Sequence, residues 1–167
     1  IMNEAVNPGF LAELEATGAP VYRLNRREGH LHPRYLRELL AVVDRHKVDV
    51  IHTHNEGSRT WGMAVKLLRP RIKLVYTVHS HDNAASITGL KRLAYTRLVD
   101  ATVAISAFVG ETAKVLKPRR LVLVPNGVSL ERFRGVARAP SADGAFRLVN
   151  VARFIRFKGQ DVLIEAL

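Results

Sequence analysis

The stretch VDVIHTHN, residues 48–55, reads as a buried strand that runs directly into a pair of histidines. A second stretch, KLVYTVHSHDN at residues 73–83, repeats this pattern. Both strands are continuously apolar rather than alternating, which is typical of strands inside a parallel sheet. Because residues i and i+2 of a strand face the same side, His52 and His54 are predicted to point together.

Helical and strand patterns alternate on both sides of these stretches. Helices are predicted over 10–17, 33–47, 57–69, 87–99 and 107–116, the last one capped by Ser106. Strands are predicted over 20–24, 48–53, 72–78, 100–106 and 120–124. This alternation predicts an α/β fold in which helices cover both faces of a parallel sheet.

The segment GVARAPSADGA, residues 135–145, interrupts the alternation and reads as an interdomain linker. After it, RLVNVARF at 147–154 is predicted to be the first strand of a second α/β unit. KGQDVLIEAL at 158–167 is predicted to be its first helix. The predicted organisation is therefore a domain over 1–134, a linker over 135–145 and the start of another domain over 146–167.

The composition limits the class of protein. Hydrophobic residues make up 47% and charged residues 25%, which is ordinary for a globular domain. The absence of cysteine excludes disulfides and thiolate metal sites and favours a cytoplasmic location. No apolar run approaches the roughly 20 residues of a membrane span, and no signal peptide is recognisable. The chain starts with Ile1 and stops at Leu167 inside a predicted helix, so we expect a fragment cut at both ends.

The charge is strongly basic, with 26 Lys and Arg against 15 Asp and Glu. A formal charge of +11 favours an anionic partner, although a generally basic surface explains the same excess. A nucleic-acid module would interleave aromatic residues with clustered basic ones, and aromatic residues are only 7% of this chain. The basic helix predicted over 87–99 suggests instead a peripheral contact with an anionic membrane at its inner face. Packing of that helix against the sheet with one wet face is the alternative.

Both histidine pairs lie where strands are predicted to end, and ligands of open parallel sheets bind at the carboxyl ends of strands. Zinc is the rival interpretation, because three histidines form known zinc sites. The bare His-x-His spacing, without a helical His-x-x-x-His or a cysteine, argues against a metal. Loop histidines with ordinary hydrogen bonds are a third interpretation, favoured for His81 beside Asp82 and Asn83.

Two further stretches carry candidate chemistry. VPNGVSLERF, residues 124–133, follows a predicted strand with the turn signal Asn126-Gly127. VARFIRFKGQDVLIEAL, residues 151–167, places basic side chains and a glycine before a helix, whose N-terminus attracts anions. This second stretch predicts either a phosphate site or a solvated basic loop.

Taken in order, five stretches resemble the retaining glycosyltransferases of family 4. They are VDVIHTH, LVYTVHSH, DATVAIS, VPNGVSLERF and LVNVARFIRFKGQDVLIEAL. The last is the most specific, because it resembles the V-x-R-x-x-x-x-K-G-x-x-x-L-I-x-A opening of the family's donor-binding domain. The resemblance implies a GT-B fold in which 1–134 is the acceptor-side Rossmann-like domain without its first strands. Residues 146–167 would then begin the nucleotide-sugar-binding domain, with its first strand and helix.

The resemblance implies a hexosyltransferase-type enzyme that uses a nucleotide diphosphate sugar as donor. The sugar would pass, with retention of configuration, to a sugar, lipid-linked or small-molecule acceptor, without a metal or other cofactor. The family's glycine-rich loop and paired-glutamate region are not recognisable, so we expect the fragment itself to be inactive. The alternative is a non-catalytic basic module that binds nucleic acid or another anionic partner.

Site residues follow from the same resemblance. Arg153 and Lys158, with Gly159, match the residues that bind the donor diphosphate, and His79 matches the catalytic strand-end histidine that approaches the donor sugar. A neutral imidazole there would hydrogen-bond a sugar hydroxyl. The residues expected by analogy to line the same cleft are His52, His54, Ser106, Asn126 and Gly127.

Overall fold

A computed structural model of the chain describes residues 7–26, 32–80, 87, 89–132, 134–135 and 143–167. Its contacts divide the chain into two units, Ile1–Gly127 and Val128–Leu167. The domain boundary expected at residue 134 stays a prediction, as does the linker over 135–145, most of which lies outside the described residues.

The first unit contains five helices and four strands within the described residues. The helices are α1 (Pro8–Ala16), α2 (Pro33–Arg45), α3 (Glu56–Leu68), α4 (Gly89–Leu98) and α5 (Ala107–Ala113), which a 3-10 turn at Lys114–Leu116 extends. The strands are β1 (Val50–His54), β2 (Lys73–Val78), β3 (Ala101–Ala104) and β4 (Leu121–Leu123). The patterns at 10–17, 33–47, 57–69 and 87–99 therefore correspond to α1–α4, with ends that shift by one or two residues.

The four strands form one parallel sheet in the order β1-β2-β3-β4. Connections between parallel neighbours are almost always right-handed, and the strand order here never reverses direction, so the connecting helices fall on one face. α3 packs on β1 and β2, and α5 packs on β3 and β4. The predicted α/β fold with a Rossmann-like parallel sheet is thus confirmed, while cover on the second face stays a prediction.

The covered face of the sheet carries the main core. Tyr76 of β2 and Tyr95 of α4 are both fully buried and meet edge to face, with ring centroids 6.0 Å apart. The Tyr95 hydroxyl also hydrogen-bonds the Thr102 hydroxyl in β3. Burial raises the pKa of Tyr95 to about 12. This contact joins one helix to two adjacent strands.

Gly62 allows α3 to lie close against the sheet. A Cβ atom added at this position would lie 2.8 Å from Leu74 Cδ1 and 2.9 Å from Thr53 Cγ2. Neither distance is compatible with an unshifted side chain. A second, smaller core of Val43, Val65 and Ile72 holds α2 against α3.

Asp100 connects the amino ends of β2 and β3. Its carboxylate accepts hydrogen bonds from the Leu74 N–H at 2.8 Å and from Lys66 Nζ at 3.0 Å. Lys66 is buried and also donates to the Ile72 carbonyl. Burial acts to raise the pKa of Asp100, but the bonds from Leu74 and Lys66 outweigh it and leave the pKa lowered. A charged Asp100 therefore stabilises the folded unit.

Two predicted strands are not formed. Residues 20–24 belong to no ladder, and the neighbouring Arg26 takes part in an isolated bridge. Tyr22 instead packs on His46, with its hydroxyl 2.5 Å from His46 Nε2 and the rings 5.3 Å apart. The apolar pattern there marks a surface contact rather than a sheet position.

The strand predicted over 147–154 is the second correction. Among the described residues the second unit has no strand that could pair with it, and Val151 and Phe154 are each 93% exposed. The described part of the second unit contains a 3-10 turn at Leu130–Arg132, another at Arg156–Lys158, and helix α6 (Gln160–Glu165). Within the described part of the chain, no helix is both long and apolar enough to cross a membrane.

Candidate functional site

The strands β1 and β2 bring three histidines to one edge of the sheet. His54 is the last residue of β1, and the register pairs it with Thr77 of β2. His79 follows the last residue of β2 directly. His52 and His54 share the face opposite α3, because they alternate with the buried Thr53. All three histidines are exposed to solvent at the carboxyl end of the sheet, where ligands of such sheets bind.

These three residues form a continuous row of rings, here called the histidine row (His52, His54 and His79). The ring centroids are 4.4 Å apart between His52 and His54 and 5.3 Å apart between His54 and His79. A hydrogen bond of 3.0 Å joins His54 Nδ1 to His79 Nε2. Another of 2.7 Å joins His52 Nε2 to the Thr77 hydroxyl.

The surroundings of His52 and His79 favour neutral imidazoles. Partial desolvation of its ring lowers the pKa of His52, and the nearby His54 and His79 lower it further. Burial likewise lowers the pKa of His79, with His54 as the second cause. Neutral imidazoles donate one hydrogen bond and accept another. At neutral pH these two rings are thus suited to hydrogen-bonding hydroxyl groups.

The row is not arranged as a metal centre. No set of three His, Asp or Glu side chains in the described residues is placed to hold a metal ion. Hydrogen bonds engage one nitrogen of each ring instead. His81, expected to be a loop residue, lies outside the described residues.

Two residues beside the row were not singled out by the sequence patterns. Thr77 holds His52, and its position two residues before His79 on the same strand face was the available signal. Asn55 links β1 to α3 with φ 71° and ψ 160°, a region almost reserved for glycine, and its side chain caps nothing. Such strain is typical of functional sites. Strain at a non-glycine residue leaves no trace in the sequence.

The other cleft-lining candidates in this unit follow β3 and β4. Ser106 begins α5 as a cap, because its hydroxyl accepts a hydrogen bond from the Val109 N–H at 3.2 Å. Asn126 and Gly127 are exposed beyond β4. No hydrogen bond among the described residues joins these three to the histidine row, so their role in the cleft stays a prediction.

The predicted diphosphate-binding residues lie in the second unit. Arg153 precedes a 3-10 turn and Lys158 is the last residue of that turn; both side chains are exposed, and Gly159 follows the turn with φ +67°. The Gln160 side chain donates to the Arg153 carbonyl at 2.8 Å and so closes the loop. α6 is only six residues long, so the two cations, rather than the helix N-terminus, supply the positive charge.

A depression of about 510 Å³ lies at the opposite edge of the sheet. Its lining includes Val48, Asp49 and Ile72, which precede β1 and β2, together with the ion pair between Asp44 and Arg69. Because the depression lies at the amino ends of the strands, it is separate from the histidine row.

Comparison with known proteins identifies the family. The chain is 25% identical over 135 residues to a phosphatidylinositol N-acetylglucosaminyltransferase subunit of Arabidopsis thaliana. That alignment covers 76% of this chain and 30% of the relative, so the chain spans less than a third of the relative's length. No solved structure matches. The sequence model of Glycosyltransferase Family 4 matches residues 6–132, which include the whole sheet and the histidine row. The chain belongs to glycosyltransferase family 4.

Proposed function

We propose that the protein is a hexosyltransferase that transfers a sugar from a nucleotide diphosphate sugar to an acceptor. The transfer retains the configuration of the sugar and uses no metal. The observation that carries the proposal is the row of three hydrogen-bonded histidines at the carboxyl edge of a family 4 sheet. Hydrogen-bonding imidazoles at this edge suit a ligand rich in hydroxyl groups.

His79 is the proposed catalytic residue in the first unit. It lies at the end of the row, beyond the last residue of β2, and its side chain is exposed. Its neutral imidazole would hydrogen-bond a hydroxyl of the donor sugar and hold the anomeric carbon in a reactive orientation.

Arg153 and Lys158 are the proposed diphosphate-binding residues in the second unit. Glycosyl transfer leaves negative charge on the departing diphosphate, and fixed cations stabilise that charge as it develops. Both side chains are exposed, and the loop that carries them is closed by Gln160. Substitution of either cation should weaken donor binding more than an equal loss of charge elsewhere.

A titration with nucleotide sugars tests these assignments. The ¹⁵N-labelled chain would be titrated with UDP-, GDP- and ADP-sugars while amide and imidazole signals are followed. Saturable shifts at His79, Arg153 and Lys158 are expected with one of the donors. Lys158→Gln should weaken that binding about tenfold, which corresponds to the loss of one charge-assisted hydrogen bond of about 1.4 kcal/mol. The exposed Lys117→Gln is the matched control and should leave binding unchanged.

The alternative function, a basic module for nucleic acid, predicts a different result in the same series. Random oligonucleotides would then bind with strong salt dependence, and nucleotide sugars would not bind. That outcome would replace the transferase proposal.

We further propose a lipid-linked acceptor and a peripheral contact with an anionic membrane through α4. The Arabidopsis relative is named as a subunit of a phosphatidylinositol N-acetylglucosaminyltransferase. In this chain, α4 exposes Leu90 (80%) and Leu93 (49%) beside the exposed Lys91 and Arg92. Apolar and basic side chains on one exposed helix favour an anionic bilayer surface. Co-sedimentation with anionic vesicles, but not with neutral ones, is expected, and a Leu90→Gln/Leu93→Gln variant should lose it.

A further inference from the structure

The histidine row assigns different tasks to the two nitrogens of His79. Its Nε2 lies 3.0 Å from His54 Nδ1 and is engaged in a hydrogen bond. Its Nδ1 has no partner among the described residues. The only ring nitrogen of His79 that remains available for a ligand is therefore Nδ1.

We propose that His54 is a positioning residue, which holds Nε2 of His79 so that the imidazole offers Nδ1 to a hydroxyl group of the ligand. The nature of that ligand, a sugar hydroxyl, rests on the proposed transferase function. The nitrogen assignment rests on the geometry of the row alone.

The hydrogen bond also links the tautomers of the two rings. If His54 Nδ1 carries the proton, it donates to His79 Nε2, and the proton of neutral His79 must be on its Nδ1. If His79 Nε2 carries the proton, His54 Nδ1 accepts, and the proton of neutral His54 must be on its Nε2. In both cases the two imidazoles adopt the same tautomer. An imidazole free of such a bond exchanges between both tautomers independently of its neighbour.

The order of support along the row explains why His54 positions His79 and not the reverse. His54 lies within β1, and its carbonyl accepts a hydrogen bond from the Ser58 hydroxyl in the first turn of α3. Its ring also packs on His52, which Thr77 holds at 2.7 Å. His79 has already left the ladder of β2. His54, which has more backbone and ring contacts, thus holds His79, which has fewer.

Imidazole nitrogen shifts of the ¹⁵N-labelled 167-residue chain test the proposal, without any nucleotide sugar. Long-range ¹H–¹⁵N correlation at pH 8 reports the tautomer of each neutral ring directly. Because the bond allows only two joint states, we expect the fraction of each tautomer to be the same in His54 and His79. His54→Leu should free Nε2 of His79 and change the tautomer fractions of that ring, whereas His54→Asn, whose amide can replace Nδ1 as donor or acceptor, should leave Nε2 hydrogen-bonded.

The control variant is His52→Leu, which removes a ring of the row but leaves the bond between His54 and His79 in place. It should not alter the tautomer of His79. Opposite tautomers, or unequal tautomer fractions, in the two rings of the wild-type chain would overturn the proposal, and so would an unchanged His79 in a folded His54→Leu chain. If His54→Leu does not fold, the wild-type tautomers and the spectrum of His54→Asn still test the positioning role of His54.

The outcome is independent of the transferase proposal. A shared tautomer without binding of any nucleotide sugar would leave the positioning role intact and remove the proposed function. Conversely, donor binding to a chain whose His54 and His79 differ in tautomer would support the function and remove the positioning role. With a bound donor, the Nδ1 signal of His79 should move more than its Nε2 signal.

Discussion

At the residue scale, the sequence predicts which histidines matter but not how they are connected. The spacing of His52 and His54 predicts two rings on one face, and that face is where they lie. The bond from His54 to His79 depends on the register of β1 against β2, which no residue of either strand encodes by itself. The strain at Asn55 is likewise a property of the folded chain.

Replacement of Asn55 by glycine should stabilise the first unit. Relief of the strained φ and ψ is worth about 1–3 kcal/mol, and the added freedom of glycine in the unfolded chain takes back about 0.5–1 kcal/mol. A net gain of about 1 kcal/mol in the free energy of unfolding is expected from urea denaturation. The exposed Asn126, which lacks a positive φ, is the matched site. Asn126→Gly should bring no gain; an equal gain there would contradict the role of strain.

Arg59 offers a second prediction at this scale. Its side chain is only 3% exposed, and neither Nε nor Nη1 has a hydrogen-bond partner among the described residues. Glu56 at 3.3 Å and the Tyr76 ring at 5.0 Å compensate the guanidinium. Because buried charges with few partners cost desolvation energy, Arg59→Met should leave stability equal or raise it by about 1 kcal/mol. Glu56→Gln should lower stability, and a large loss in Arg59→Met would show that the guanidinium has a further partner.

At the element scale, a strand prediction was correct where the predicted strand lies beside another strand and wrong where it does not. The apolar runs at 48–53 and 72–78 became β1 and β2 because each lies beside another strand. The runs at 20–24 and 147–154 have similar local patterns but no ladder within the described residues. A strand is completed by hydrogen bonds to its partner, so its own residues indicate only that pairing is allowed. Helix ends were easier to predict because caps such as Ser106 are local.

The contact between α3 and the sheet depends on Gly62. Gly62→Ala should destabilise the first unit by about 2 kcal/mol, because the new methyl group overlaps Leu74 and Thr53 in a close-packed core. Thermal or urea unfolding measures the loss. Gly57 lies on the same helix with nothing within 4 Å of an added Cβ. Gly57→Ala should instead stabilise the helix by about 0.5–1 kcal/mol, and two equal losses would contradict this account.

At the scale of the whole molecule, the sequence predicted the parallel α/β class correctly and left two matters open. A net charge of +11 favours an anionic partner without naming it, and a generally basic surface explains the same excess. The pattern also predicted helices on both faces of the sheet, and cover on the second face stays a prediction. The face that each connecting helix covers depends on the direction of the strand order, which is not visible in a one-dimensional pattern.

Stability should depend on pH through the histidine row. The pKa values of His52 and His79 are lowered by burial and by their neighbours, so the unfolded chain binds more protons below pH 6.5. Their neutral forms stabilise the folded state fully above pH 6.5. This stabilisation is lost as the pH falls through the lowered pKa values of the two residues. Urea denaturation between about pH 5 and 8 should therefore show stability rising with pH. A His52→Asn/His79→Asn chain should show a flatter rise; an unchanged slope would place the effect in other groups.

The consecutive strand order also has a meaning for how the chain is made. Residues that pair across neighbouring strands lie only 19 to 26 positions apart along the chain. A ribosome that releases the chain from its amino end therefore delivers each new strand beside one that is already placed. Loops of this length are quick to close, and no strand of the sheet has to wait for a distant partner. The sheet can grow in the order of translation, and its most recently added edge is always the one that accepts the next strand.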